Sequence, residues 1–244
     1  MISIICPVTN NELYQSMLLN SLQKQTYSDY EVIPLNSKAL GFSSASETLN
    51  YGVSISRGDI LLFVHQDIEF LDNNILDDIV NYCSSFEFAI AGVCGVIGTG
   101  EYKVVSSVTI GPTHRQAGRK LLNPEDSYVL DECLLIIQKV NFKSFDNIGA
   151  TWHFYAVDYC LRAIENGERV MVFPLDIYHL SPGWSLNYDY FKRLKVLGKK
   201  YRRLKYISTC MGVFRNNWTL PFYCSYRKFK IFLKKILRYD RNNK

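Results

Sequence analysis

A histidine and an aspartate stand two residues apart directly after an apolar run in the first third of the chain. The run is Ile60–Val64; it follows the turn pair Gly58-Asp59 and ends at His65-Gln66-Asp67. A short apolar run bounded by turn residues indicates a strand buried on both faces of a parallel sheet. Ligands in open α/β folds bind at the carboxyl ends of such strands, and side chains two residues apart on a strand point the same way. An imidazole and a carboxylate there could hold a divalent cation and, through it, a diphosphate. The alternative is a polar strand end with no ligand.

Two further groups of chemically competent residues lie more than sixty residues later. Asp131 and Glu132 are adjacent acids immediately before the apolar run Leu134–Ile137, and His179 follows a predicted strand at Val170–Pro174. Adjacent acids at a strand edge are most often simply solvated, and a lone histidine is more often structural than a ligand. These residues therefore indicate a site only if the fold brings them close to His65 and Asp67.

The first third of the chain alternates strand and helix signals at short spacing. Strands are predicted at Ile2–Cys6, Glu31–Leu35 and Ile60–Val64, and capping boxes at Thr9–Glu12 and Ser44–Glu47 open the two helices between them. Strands and helices that alternate in this way form βαβ units and imply a parallel sheet. We therefore expect an α/β fold with a ligand pocket at the carboxyl edge of the sheet.

Weaker signals predict the elements that complete this sheet. The glycines Gly95, Gly98 and Gly100 indicate a turn and not a phosphate-binding loop, because no helix follows them. The other predictions are a helix capped by Asp72, a buried strand at Phe88–Val96, a strand at Tyr102–Ile110, a loop at Gly111–Asp126 that could cover a site, a short helix at Phe142–Asp146, and a helix at Trp152–Asn166 ended by Gly167.

Composition favours one folded domain with a charged extension. With 244 residues, 48% of them hydrophobic, the chain can bury one substantial core. Its seven cysteines are scattered and form no CxxC pair, which predicts reduced core residues in a cytosolic protein. We expect no signal peptide, because the apolar segment Ile2–Pro7 is short, and no membrane span, because the longest apolar stretch, Phe88–Gly98, is far below about 20 residues.

The charge is distributed very unevenly along the chain. Residues 1–191 hold 11 Lys and Arg against 22 Asp and Glu, a net charge of −11, whereas residues 192–244 hold 17 against one, a net charge of +16. The segment Tyr226–Tyr239 has helical periodicity, with an apolar face (Phe229, Phe232, Leu233, Ile236 and Leu237) and a basic face (Arg227, Lys230, Lys234 and Arg238). This pattern predicts a helix lying in an anionic membrane interface. The alternative is a basic helix packed on the domain; nucleic-acid binding is disfavoured because stacking motifs are absent.

Taken in order, these segments resemble the family-2 glycosyltransferases of GT-A fold, in particular a small bacterial branch that has His-x-Asp where most members have Asp-x-Asp. The resemblance covers roughly Ile2 to Tyr201. Its motifs are Pro7-Val8, Gln25, Gly41, Ala45, Asn50, Gly52 and Gly58-Asp59, followed by His65-Gln66-Asp67, Asp131-Glu132, the block Trp152 to Arg162, and His179-x-x-x-Gly183. It implies a mixed, mainly parallel sheet flanked by helices in residues 1–200, followed by a basic amphipathic helical tail in residues 201–244.

The resemblance also implies roles for individual residues. A divalent metal, Mn²⁺ or Mg²⁺, would be held by Asp67 and His179, with His65 toward the ribose or a metal-bound water. The donor would be a nucleotide-diphosphate sugar, UDP-linked. Residues expected at the donor are Pro7, Thr9, Asn36, Ser44, Asn50, His65, Gln66 and Asp67, and residues expected at the acceptor are Asp131, Trp152 and His153. The acceptor hydroxyl would attack in line, which generally inverts the anomeric configuration.

One departure from the family pattern concerns the general base. The related branch reads Trp-His-Phe-Tyr-Asp-x-Asp, and its first Asp is the expected base, whereas this chain has Ala156 at that position. Either Asp158, Asp131 or Glu132 supplies the base, or transfer is impaired. Asp158 lies about 200° around a helix from Ala156, so Arg162 is its expected partner. The sequence predicts that Ala156→Asp raises transfer by more than about tenfold.

These expectations define one preferred function and two alternatives. The preferred one is a metal-dependent glycosyltransferase at the cytoplasmic face of a membrane, which acts on a saccharide or lipid-linked acceptor in the synthesis of a surface polysaccharide or glycoconjugate. A non-catalytic nucleotide-sugar-binding partner in an assembly complex is the second hypothesis, supported by Ala156. A nucleotidyltransferase ranks last, because residues 7 to 15 contain no glycine, lysine or arginine for a phosphate loop.

Overall fold

The computed structural model describes residues 1–181 and 186–242, and describes side chains through Lys234 and at Ile236. The strands, in chain order, are β1 (Ile2–Pro7), β2 (Tyr30–Leu35), β3 (Ile60–Val64), β4 (Ile68–Phe70), β5 (Ile90–Gly92), β6 (Cys94–Val96), β7 (Val104–Ser106), β8 (Val108–Ile110), β9 (Arg115–Gln116), β10 (Arg119–Lys120), β11 (Glu125–Asp126), β12 (Val129–Leu130), β13 (Leu134–Gln138), β14 (Val170–Val172), β15 (Ile177–His179), β16 (Tyr206–Thr209) and β17 (Gly212–Arg215).

The helices flank these strands. They are α1 (Asn11–Leu13), which continues as a π-helix (Tyr14–Leu19) into α2 (Asn20–Leu22), then α3 (Ala45–Ile55), α4 (Ile75–Ser85), α5 (Tyr155–Glu165), α6 (Tyr188–Lys200) and α7 (Leu220–Asn242), with a 3₁₀ turn at Lys139–Asn141. The predicted capping box at Ser44 is confirmed: its hydroxyl accepts from the backbone N–H of Glu47, and the Glu47 carboxylate accepts from the backbone N–H of Ser44.

The central sheet is mixed and mainly parallel, as expected. Its strand order is β11-β14-β5-β13-β3-β1-β2, and β13 and β11 run against the other five strands. The two predicted βαβ units are confirmed, since β1 pairs in parallel with β2 and with β3, in register from Ile2. The carboxyl ends of β1 and β3 therefore meet at one edge of the sheet.

The sheet separates two apolar cores, which makes the fold three layers thick. Alternate residues of β3 face opposite sides: Phe63 packs with Leu49 of α3 and Leu161 of α5, and Leu62 packs with residues of the first helical segment and of α4. Fully buried strands of this kind contribute about 25 cal/mol for each Å² of apolar surface removed from water. The predicted unbroken apolar run at Ile60–Val64 is thus explained by burial on both faces.

A smaller sheet extends the carboxyl edge and supports the region around His179. Its strand order is β4-β15-β8-β9, with His179 in register with Ile68 on one side and with Ile110 on the other. Because β4 begins one residue after Asp67, this pairing brings two segments more than a hundred residues apart to the same place.

Several predicted elements differ from the structure. The predicted strand Phe88–Val96 divides at Val93 into β5 and β6, which belong to different sheets. The predicted helix at Phe142–Asp146 is wrong: that segment has no regular secondary structure, and the Asn50 side chain bonds both the N–H and the carbonyl of Phe145. A helix was expected from Trp152, but α5 begins at Tyr155, after Phe154 with φ +69°.

Two predicted caps are also displaced. Asn10, not Thr9, caps the first helical segment through its side-chain oxygen, and Asp72 accepts from the backbone of Asn74 without bonding to α4. The seven cysteines are free, in agreement with the sequence.

The C-terminal residues contribute to the main core before they leave it. Ile207 and Phe214 of the β16–β17 hairpin are buried in the core that contains α5, as are Leu220 and Cys224 of α7. The core therefore continues past residue 200, and the division into a catalytic domain (1–200) and a tail (201–244) stays a prediction. No helix in the described part of the chain is long and apolar enough to cross a membrane.

Candidate functional site

A cavity of about 1190 Å³ opens at the carboxyl ends of β1 and β3. Pro7 and Thr9 line it at the end of β1, and His65, Gln66 and Asp67 line it after β3. Pockets for single small ligands usually occupy about 300–1,000 Å³. This cavity is large enough for two substrates side by side.

His65, Asp67 and His179 form a compact group in this cavity, which we call the cation group. One ligand atom from each residue lies within 4.8 Å of the others. The Nε2 of His179 is 3.4 Å from Oδ1 of Asp67, and the two imidazole rings are 5.4 Å apart between centroids. Two imidazoles and one carboxylate that converge on one point are a donor set that fits a divalent transition metal. The structure thus brings together the three residues proposed as ligands.

The charge states of His65 and Asp67 suit metal binding. Burial, followed by the charge of His179, lowers the pKa of His65 to about 4, so its imidazole is neutral at physiological pH. Burial alone would raise the pKa of Asp67, but the hydrogen bond and charge of His179 outweigh it, and the net pKa is lowered. A neutral imidazole and an ionised carboxylate are the forms that coordinate metals.

Gln66 ties the two strand ends together. Its Oε1 accepts hydrogen bonds from the backbone N–H groups of Thr9 and Asn10, both at 2.8 Å, and its Nε2 donates to the Thr9 hydroxyl at 3.1 Å. The amide therefore fixes the loop after β1 relative to Asp67. This places Pro7 and Thr9 on the same wall of the cavity as the cation group.

Asp131 and Glu132 line the cavity in the turn between β12 and β13, and the carbonyl of the next residue, Cys133, accepts from the backbone N–H of His65 at 3.1 Å. Asp131 accepts from the backbone N–H of Cys133 at 3.1 Å, and Glu132 accepts from the backbone N–H of Phe154 at 2.8 Å, just before α5. Burial and then the charge of Asp131 raise the pKa of Glu132 to about 8, although the Phe154 N–H opposes the shift. A carboxyl group of this kind can exchange a proton near neutral pH.

Trp152 and His153, which were expected at the acceptor together with Asp131, also line the cavity. Trp152 is 41% exposed and presents its indole to the cavity. His153 is partly buried, and its Nε2 is 3.1 Å from the side-chain amide of Asn187. Burial lowers the pKa of His153, so the neutral imidazole is favoured.

Three residues expected at the donor do not reach the cavity. Asn36 bonds the backbone N–H of Ala39, Ser44 is the cap of α3, and Asn50 holds the Phe145 backbone. Each side chain has a structural role in the fold. That these three residues contact the donor stays a prediction.

Two of the four candidate catalytic residues also do not line the cavity. Ala156 is 0% exposed in the core and does not line the cavity. Asp158 is 1% exposed, and its Oδ1 accepts from Lys200 Nζ at 2.6 Å and from the Tyr201 hydroxyl at 3.0 Å. Its predicted i, i+4 partner Arg162 is confirmed at 3.4 Å. The candidate catalytic carboxyl groups that line the cavity are thus those of Asp131 and Glu132.

The sequence reasoning missed one wall of the cavity. Tyr102, Lys103, Arg115 and Arg119 line it, together with Cys210 of the β16–β17 connection. The predicted covering role of the segment Gly111–Asp126 agrees with this lining, although the segment contains the short strands β9 to β11. The sequence signal was the basic run from His114 to Lys120, which lies in a largely acidic part of the chain.

Comparison with protein families decides the identity of this fold. A family model described as "Glycosyltransferase like family" matches residues 3–206, well over half of the chain. The chain belongs to this glycosyltransferase-like family. The match extends from β1 to the start of β16, so it includes every residue of the cation group and both cavity carboxylates.

Solved structures agree with the GT-A fold of this glycosyltransferase-like chain. TarS from S. aureus (residues 1–349) superposes with a TM-score of 0.54 at 18% identity, covering 83% of this chain and 66% of TarS. A complex of TarS with UDP-GlcNAc gives 0.55 at 15% identity, covering 83% and 67%. The mannosyltransferase PcManGT from Pyrobaculum calidifontis, in complex with GDP-Man and Mn²⁺, gives 0.52 at 14% identity, covering 83% and 64%.

A curated relative comes from Fuscovulum blasticum. The protein "ATP synthase subunits region ORF 6" is 29% identical over 160 residues, which is 60% of this chain and 61% of that protein. The chain thus covers between 61% and 67% of the length of these relatives. At such identities the solved structures establish the fold, and the expected GT-A architecture is confirmed.

Proposed function

We propose that this chain is a metal-dependent glycosyltransferase, which moves a sugar from a nucleotide-diphosphate donor to a saccharide or lipid-linked acceptor. The observation that supports it most is the cation group, where Asp67 and His179 approach to 3.4 Å at the carboxyl edge of the sheet. UDP-GlcNAc and GDP-Man complexes of proteins with the same fold support a nucleotide-sugar donor. UDP is our first choice of nucleotide.

His65, Asp67 and His179 would hold the metal. Two imidazoles make the donor set softer than Mg²⁺ prefers, so we propose Mn²⁺ first and Mg²⁺ second. When bound, a divalent ion stabilises the negative charge that develops on a departing diphosphate. The hydrogen bonds of Gln66 with the backbone of Thr9 and Asn10 hold the loop after β1 against the end of β3. The residues proposed to bind the donor are therefore held in place before the donor binds.

Glu132 is our proposed general base. It is a carboxyl group that lines the same cavity as the cation group, and the Phe154 N–H donates to it. Glu132 would take the proton of the acceptor hydroxyl while that oxygen bonds to the anomeric carbon and the bond from this carbon to the diphosphate oxygen breaks. A single in-line displacement inverts the anomeric configuration. Trp152 offers a flat apolar face on which a sugar ring can stack.

A donor screen tests this function directly. We would incubate the chain with Mn²⁺ and a panel of UDP-, GDP- and dTDP-sugars, with and without simple glycoside acceptors, and measure nucleotide diphosphate release by chromatography. We expect release from one donor that Asp67→Asn abolishes and Asp176→Asn preserves, because Asp176 is a half-exposed acid outside the cavity. Equal release by the two variants would contradict the proposed site.

A non-catalytic nucleotide-sugar-binding partner is the second candidate, and Ala156 favours it. The family pattern places the base at a position where this chain has a methyl group. This candidate predicts donor binding without turnover, and neither Glu132→Gln nor Ala156→Asp would alter donor consumption. Donor turnover that Glu132→Gln abolishes would exclude it.

We also propose that the protein acts at the cytoplasmic face of a membrane, docked through α7. One face of α7 packs on the core through Leu220, Cys224 and Ile231. Another face carries an exposed apolar stripe at helical spacing: Phe222, Tyr226, Phe229, Leu233 and Ile236. Exposed aromatic residues next to lysines and arginines suit an anionic lipid interface.

Vesicle sedimentation tests this docking surface. Full-length protein should sediment with phosphatidylglycerol vesicles and much less with phosphatidylcholine vesicles. Phe222→Glu together with Phe229→Glu should reduce the bound fraction by more than about fivefold. Leu122→Glu is the control, since Leu122 is 75% exposed and lies outside α7. Binding that survives the double substitution would overturn the assignment. Such docking would suit synthesis of a surface polysaccharide or glycoconjugate on a lipid carrier.

A further inference from the structure

Three basic side chains line the cavity wall that the sequence reasoning missed, and we call Lys103, Arg115 and Arg119 the cationic wall. Two of them are neutralised within the chain. Lys103 forms an ion pair with Glu101, and the guanidinium of Arg119 donates to both carboxylate oxygens of Glu125, at 2.9 and 2.7 Å. Arg115 forms no ion pair with any residue in the described parts of the chain. Its positive charge therefore remains available to a ligand.

Sheet register aligns Arg115 with the cation group. In the small sheet, His179 pairs with Ile110, and Ile110 pairs with Arg115. Residues directly opposite one another on paired strands point to the same face, so His179, Ile110 and Arg115 share one face. Two strand spacings separate His179 from Arg115, or about 10 Å between backbones. All three line the cavity, which agrees with this geometry.

Tyr102 lies near both Arg115 and the cavity residues Asp131 and Cys210. Its hydroxyl donates to the carbonyl of Cys210 at 2.8 Å, and Cys210 lines the same pocket as Glu132 and His153. Burial raises the pKa of Tyr102, and the charges of Arg115 and Asp131 act on it in opposite directions, so both are within electrostatic reach. Arg115 and Asp131 thus both lie near Tyr102, and Glu132, the neighbour of Asp131, is the residue proposed to act on the acceptor.

We propose that Arg115 binds a phosphate group of the acceptor, so that the acceptor is a phosphate-bearing molecule. A guanidinium recognises phosphate through two parallel hydrogen bonds, and its charge persists at any physiological pH. A spacing of about 10 Å from His179 separates this phosphate from a diphosphate at the cation group. Phosphate groups that a guanidinium can bind are present in the diphosphate of a lipid-linked saccharide and in the phosphodiesters of a polyol-phosphate polymer. This inference rests on the proposed transferase function.

Calorimetric titration of the full chain, with saturating UDP and Mn²⁺ present, tests the proposal. The anionic probes are decyl diphosphate and a glycerol-phosphate tetramer, and the neutral probe is decyl glucoside. We expect at least one anionic probe to bind, and Arg115→Ala to weaken it by about tenfold or more. Arg115→Lys should retain part of the affinity. The probe that binds identifies the lipid-linked or the polymeric source.

The control is Lys120→Ala. It removes one positive charge from β10, the next strand along the chain after β9, and Lys120 does not line the cavity. It should leave both anionic probes unaffected. Anionic binding that Arg115→Ala does not weaken, or binding of the neutral probe only, would overturn the inference. An equal loss of UDP affinity in Arg115→Ala would assign Arg115 to the donor and also overturn it. Wild-type protein that binds no nucleotide at all would instead refute the proposed function itself.

Discussion

Glu132 offers a sharp test, because its raised pKa predicts both a pH–rate profile and a pH-dependent stability. With a pKa near 8, a base of this kind is about 9% ionised at pH 7 and about 91% ionised at pH 9. The turnover number should therefore rise about tenfold between these values and then level off. Glu132→Gln should lower turnover by about 10²- to 10⁴-fold and remove the rise.

The stability effect has the opposite dependence on pH. Folding holds a proton on Glu132 that the unfolded chain releases above about pH 4.3, so wild-type stability falls as pH rises toward 8. The Gln variant does not ionise at this position. The difference between its melting temperature and that of the wild type should therefore increase in favour of the variant as pH rises over this interval. One pKa unit alone is about 1.4 kcal/mol, or about 3–5 °C for a chain of this size.

The assays are steady-state turnover from pH 6 to 9.5 with the donor found in the screen, and differential scanning fluorimetry over pH 5 to 8. Glu69→Gln is the matched control, since Glu69 lies in β4 outside the cavity lining. A flat wild-type pH profile, or a melting-temperature difference that does not grow with pH, would refute the reasoning about Glu132.

Three further substitutions separate structural from catalytic roles. Ala156→Asp places a carboxylate in the fully buried core. We expect it to lower the free energy of unfolding by about 3 kcal/mol or more without raising turnover. A rise in turnover above about tenfold would restore the sequence-based assignment of the base. Asp158→Ala leaves Lys200 and Arg162 without their buried partner and should cost about 3–5 kcal/mol in urea denaturation; a loss below 1 kcal/mol would contradict the burial. Asn50→Ala removes two hydrogen bonds to Phe145 and should lower the free energy of unfolding by about 1–3 kcal/mol. The UDP affinity measured by calorimetry should stay constant. A tenfold loss of UDP affinity would instead assign Asn50 to the donor site.

Local patterns predicted the parts of the fold that local chemistry determines. The apolar run at Ile60–Val64 and the capping box at Ser44 each specify an element through neighbouring residues, and both are confirmed. Phe88–Val96 could not be divided correctly, because the change from β5 to β6 depends on partners elsewhere in the chain. The irregular segment at Phe142–Asp146 depends in the same way on Asn50, 95 residues before Phe145.

The site was predictable where residues follow strand ends, and not where tertiary pairing decides. His65 and Asp67 follow β3 directly, and strand alternation predicted a shared direction for them. The structure has a turn at Gln66-Asp67 instead, and the two side chains converge with His179 through that turn. His179 joined them through the family motif and not through spacing, and Gly183 of that motif lies outside the described residues. Arg115 was missed because its place depends on register across β15, β8 and β9, which no local pattern encodes.

The central claim is that Asp67, His65 and His179 together hold one divalent cation. Titration of Mn²⁺ followed by electron paramagnetic resonance, with UDP present, measures this directly, because bound Mn²⁺ loses the signal of the free hydrated ion. We predict one site per chain in the wild type and in Asp176→Asn, and an affinity at least about tenfold weaker in both Asp67→Asn and His179→Ala. Mn²⁺ affinity that is unchanged in either of those two variants would contradict the account.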